Sequence, residues 1–82
     1  GHGIGRTIHE APAVPNYDEP RARTRLSPGL VLAVEPLIAL GSGRAVEDAD
    51  GWTVRTADGA CAAHHEHTLV ITEGAPLLLT AA

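Results

Sequence analysis

Leu30-Val31-Leu32-Ala33-Val34-Glu35-Pro36 is the stretch on which the fold turns. Five apolar residues in a row, too few for a helix of normal length, read as a strand buried on both faces. Pro36 has no N–H for a sheet ladder and stops it. Glu35 closes the run where an ionised carboxylate is costly unless it is paired or bound to metal. On the N-terminal side, Gly1, Gly3, Gly5, Pro12 and Pro15 argue against helix and for short extended pieces with tight bends. Residues 16–29 hold three of the six arginines and two prolines, and read as a solvated connection. On the C-terminal side, the small and acidic residues 41–51 read as a loop. Asp50-Gly51 marks a turn before Trp52-Thr53-Val54-Arg55-Thr56, which alternates at period two, and Asp58-Gly59 supplies a hairpin-type turn. His65 to Thr72 is the strongest strand pattern, and Pro76 to Thr80 reads as the last strand. No segment has the pattern of an amphipathic helix. The expected fold is mostly antiparallel β, with an apolar sheet face that this sequence has no helix to cover.

The 82 residues leave room for one domain, residues 1–82. A chain this short buries only roughly 60–65% of its unfolded surface. Fourteen of the apolar residues are alanine, Phe and Met are absent, and the aromatics are Tyr17 and Trp52 alone. So thin a core points to a partner. Six arginines against ten acidic residues give a net charge of −4, the wrong sign for a nucleic-acid binder, and two aromatics offer little surface for stacking bases. The longest apolar stretch, Leu30 to Leu40, is broken by Glu35 and falls short of the ~20 residues of a membrane helix. No signal-peptide pattern is present. Cys61 has no internal disulfide partner, fits a reducing compartment, and reads as a small packed residue. Opening on Gly1-His2-Gly3, the chain looks like a segment of a longer polypeptide.

Histidine carries the chemical signal. There are five: His2 between glycines, His9 before Glu10, and His64, His65 and His67 around Glu66. Histidine and carboxylate donors without a cysteine cluster suit Mn, Fe, Co or Zn in a nitrogen/oxygen site. At period two, His65 and His67 share one face of a strand and Glu66 takes the other. Either the two histidines form an HxH metal pair, or Glu66 points at a site alone, or all three face solvent. His9-Glu10 lacks the HExxH spacing of zinc peptidases, and the opening glycines lack the GK[ST] of a phosphate loop.

Taken in order, the motifs say more. Gly1-His2-Gly3-Ile4-Gly5, Ile8-His9-Glu10-Ala11-Pro12, Pro28-Gly29-Leu30 through Glu35-Pro36, Asp50-Gly51-Trp52-Thr53-Val54 and Glu66-His67-Thr68 follow one another along nearly the whole chain. This series resembles the C-terminal part of bacterial-type methionine aminopeptidases, dimetal hydrolases of the pita-bread fold. The resemblance implies a piece of an α+β creatinase/aminopeptidase-like domain whose N-terminal half is missing.

Roles follow residue by residue. His2, Glu35 and Glu66 match three of the family's five metal ligands, with Glu66 bridging, and His65 and His67 become non-ligands. His9 matches the histidine beside the scissile bond, and Ile8 and Trp52 match the lining of the methionine side-chain pocket. Glu35 and His9 are the implied catalytic residues. The implied cofactors are two divalent ions, Co, Mn, Fe or Zn. The implied substrate is the N-terminal methionine of nascent polypeptides in the cytoplasm, with no membrane or nucleic-acid partner. The family's two aspartate ligands lie upstream of this segment, so the 82 residues alone are expected to be inactive. Two rival readings remain: a prolidase or aminopeptidase P relative, which usually carries Arg-x-Glu-Asp near Glu66, and a non-catalytic pita-bread or metal-binding β-module.

Overall fold

The computed structural model describes residues 1–82 as nine short strands and no helix. The strands are β1 (His2–Gly3), β2 (Glu10–Ala13), β3 (Val31–Val34), β4 (Leu37–Ala39), β5 (Ala45–Glu47), β6 (Val54–Thr56), β7 (Ala62–His64), β8 (His67–Val70) and β9 (Leu77–Leu78). All pair antiparallel, in a five-stranded sheet of order β2-β1-β3-β8-β9 and two ribbons, β4-β7 and β5-β6. The mostly antiparallel β expectation holds. No helix is long and apolar enough to cross a membrane.

The apolar run became the central strand. β3 pairs with β1 on one side and β8 on the other, and it holds Leu32 and Ala33, the buried hydrophobic residues of the chain. Pro36 ends β3 as expected, but the chain resumes at once as β4. Register explains why. Val31 to Val34 pair with Val70 to His67, and Leu37 to Ala39 pair with His64 to Ala62 in the same one-for-one register. The two segments run side by side over their whole length, interrupted only around Pro36, whose carbonyl still accepts the His65 N–H at 3.2 Å.

Three local expectations need correction. The strand read as His65–Thr72 is split, because its start belongs to the gap and its partner ribbon begins earlier, at Ala62. Residues 41–51 are not all loop: Ala45–Glu47 is a strand because Val54–Thr56 lies beside it, with Val46 opposite Arg55. Cys61 is exposed and not packed. The two Asp-Gly turns are present, with Gly51 and Gly59 at positive φ of 68° and 73°, a region that glycine enters without steric cost.

Candidate metal centre

The gap beside Pro36 is where the acidic residues meet. Continuing the register of β3 and β8 past Val34 and His67 sets Glu35 opposite Glu66. His2 pairs with Ala33 on the neighbouring strand, two residues from Glu35, so both side chains lie on one sheet face. Ala33, on that same face, is small and fully buried. One ligand atom each from His2, Glu35 and Glu66 then falls within 4.8 Å of the others. Asn16 helps to fix the end of the strand, its side-chain amide donating to the Glu35 carbonyl at 3.1 Å.

The donor set suits a cation. His2 Nδ1 donates to the Gly3 carbonyl at 2.7 Å, which leaves Nε2 with a lone pair in the neutral ring. That Nε2 faces Glu35 Oε1 at 3.3 Å. Two acceptors face each other favourably only across a shared proton or a metal ion. One imidazole nitrogen and two carboxylates form a nitrogen/oxygen set for a first-row divalent ion. Glu35 is half-buried, 24% exposed, so leaving it unpaired there would be costly.

The other residues singled out from the sequence are placed differently. His9 stands beside the cluster, its ring centroid 4.1 Å from that of His2 at a tilt of 46°. Its loop is held by Thr7, whose hydroxyl donates to the His9 carbonyl at 2.9 Å and to Glu10 Oε2 at 3.3 Å. Ile8, next to His9, is 71% exposed, and Trp52, on the β5–β6 turn, is 88% exposed. His65 and His67 do not join the metal group. Their rings meet edge to face at 4.9 Å, and His67 Nδ1 pairs with Thr80 Oγ1 at 2.8 Å.

His64 was missed by the reading of the sequence. Its Nε2 lies 3.5 Å from Glu35 Oε2 and 3.9 Å from Glu66 Oε2. The signal was available, because His64 and Glu66 share a face at period two. The HxH pattern of His65 and His67 begins one residue later and offers the same spacing.

Comparison with known proteins places this geometry. The description of metallopeptidase family M24 matches residues 1–73. Methionine aminopeptidase of Aquifex aeolicus is 50% identical over 82 residues, covering 98% of this chain and 32% of that protein. The crystal structure of methionine aminopeptidase from Thermotoga maritima superposes with a TM-score of 0.92 at 46% identity, over 100% of this chain and 33% of that one. That from Rickettsia prowazekii superposes with a TM-score of 0.88 at 36% identity, over 98% and 33%. The chain thus spans about a third of the length of the relatives it matches. With strands, cluster and sequence in agreement over that third, the chain belongs to metallopeptidase family M24 and is homologous to its bacterial-type methionine aminopeptidases.

Proposed function

We propose that these residues are the C-terminal part of a metal-dependent methionine aminopeptidase that removes the initiator methionine from newly made polypeptides in the cytoplasm. The observation that carries this reading is the convergence of His2, Glu35 and Glu66 in a chain of this family. In this reading His2, Glu35 and Glu66 hold part of a site for two divalent ions of Co, Mn, Fe or Zn. When bound, the ions supply Lewis acidity and make water nucleophilic near neutral pH. Glu35 accepts a proton from the attacking water. His9 donates a hydrogen bond where negative charge develops on the scissile carbonyl oxygen. Ile8 and Trp52 form apolar wall for a methionine thioether once the rest of the site stands over them. Three side chains are too few to hold two ions, so the remaining donors come from sequence outside residues 1–82.

The test is methionine release from Met-Ala-Ser with Co(II) or Mn(II) present. The native polypeptide carrying these residues should release methionine. Glu66→Gln should cut the rate by more than about 100-fold, since a ligand matters more than the groups that support it. The 82 residues alone should release little or none. Enzyme-like release by the 82 residues alone, abolished in Glu66→Gln, would overturn the shared site. Turnover of Ala-Pro but not Met-Ala by the native polypeptide would overturn the substrate.

A further inference from the structure

The Glu35 carboxylate is flanked by imidazole on both sides. Oε1 faces His2 Nε2 at 3.3 Å, and Oε2 faces His64 Nε2 at 3.5 Å. The same His64 nitrogen lies 3.9 Å from Glu66 Oε2. Of the five histidines, only His2 and His64 reach Glu35. Yet the two stand differently: the ligand atom of His2 belongs to the metal group, and that of His64 does not. His64 touches Glu35 through the oxygen that His2 leaves free.

We propose that His64 is a positioning residue, whose Nε2, 3.5 Å from Glu35 and 3.9 Å from Glu66, is the polar neighbour common to both carboxylates and holds them in the arrangement that His2 completes as a cation site. The inference rests on the metal reading given under Proposed function. Glu35 and Glu66 oppose each other across a strand gap, and two like charges at that range repel. A polar ring nitrogen close to both limits their freedom before any ion arrives, so less order has to be imposed on binding. The backbone places that residue firmly. His64 is opposite Leu37 at the end of the β4–β7 ribbon, two residues before Glu66 in the chain and one register step past the Pro36 gap. His65 is adjacent in sequence, but it gives its backbone N–H to Pro36 and its ring to His67. The His64 side chain is 46% exposed, so replacing it removes the polar contact and little packing.

Co(II) affinity of the native polypeptide, measured by titration calorimetry and by the visible d–d bands, tests the assignment. His64→Ala should weaken Co(II) binding about 10–100-fold, the cost usual for losing a group that orients a metal ligand. His64→Gln, which keeps an N–H donor at similar reach, should stay within about threefold of the wild type, while the shorter His64→Asn should follow alanine. Band positions should be unchanged in all three, because the ligand atoms are the same. Unchanged affinity in both His64→Ala and His64→Asn would overturn the proposal, as would equal loss in His64→Gln with shifted bands, which would make His64 a ligand itself. If the wild type takes up no Co(II), the metal reading falls and this inference with it. Uptake that is lost in Glu66→Gln but kept in His64→Ala overturns this inference alone.

Discussion

Gly3 has no room for a side chain. A Cβ there would overlap the Ala11 carbonyl oxygen, with the Ala11 carbonyl carbon at 2.7 Å and the Glu10 oxygen at 2.9 Å. These are backbone atoms of the neighbouring strand, so they yield only if β2 moves away from β1. Gly3→Ala should therefore cost about 1–3 kcal/mol, the range for overpacking. It should also weaken Co(II) uptake, because His2 and the loop of His9 flank the disturbed pair. Gly74→Ala is the control: its nearest neighbour is Thr72 Oγ1 at 4.0 Å, and its melting temperature should stay within the effect of about 0.5 kcal/mol. Equal melting temperatures for the two variants would refute the close-approach account. Glycine density was legible in the sequence as a signal for bends. That Gly3 permits the close approach of a paired strand was not, because the neighbour is Ala11 and only the fold brings it there.

The turn of the β5–β6 hairpin is built on a hydrogen-bonded carboxylate. Asp50 Oδ1 accepts the backbone N–H groups of Trp52 at 3.0 Å and Thr53 at 2.8 Å, and Oδ2 accepts the Thr53 hydroxyl at 2.6 Å. Hydrogen bonds from the Thr53 hydroxyl and backbone, then from Trp52, hold the Asp50 carboxyl below its ordinary range. Asp58 is lowered too, by the Ser42 N–H at 2.8 Å and the Ala60 N–H at 3.0 Å. A depressed carboxyl stabilises the turn fully above its unfolded value, and the contribution fades as pH falls through the folded value. Exchange of the Trp52 and Thr53 amides should accelerate relative to a model peptide as pH drops below the usual aspartate range. In Asp50→Asn that pH dependence should vanish. An identical acid response in the variant would assign it to another group. The turn itself was readable from Asp50-Gly51, but β5 was not. Ala45-Val46-Glu47 has one large apolar residue and becomes a strand only by pairing with Val54–Thr56.

At the scale of the molecule, the chain is open. Its surface is 6507 Å², against about 4,700 Å² for a self-contained globule of 8.5 kDa. The excess, roughly 1,800 Å², is of the size one partner buries in a permanent interface. Its radius of gyration is 14.9 Å, against about 12 Å for a compact chain of 82 residues. Leu37, Ile38, Leu40, Leu77 and Leu79 are all more than half exposed, so large apolar side chains on and beside the strands lie uncovered. The 82 residues expressed by themselves should bind the dye ANS and sediment as a concentration-dependent mixture. A single monomeric species with a sharp, concentration-independent melt would show that the open surface needs no cover.

Period-two patterning, proline stops and Asp-Gly turns are properties of neighbouring residues, and from them the sequence by itself determined a mostly antiparallel β chain with a buried strand at Leu30–Glu35. The ordered motifs also identified the family and pointed to His2, Glu35 and Glu66. Only the tertiary structure decided which histidine meets those carboxylates. The choice between His64 and the His65/His67 pair depends on the register of residues 31–39 against 62–70 and on the gap that Pro36 opens in it. Register is set by contacts between segments about thirty residues apart, and a shift of one residue turns every side chain to the other face.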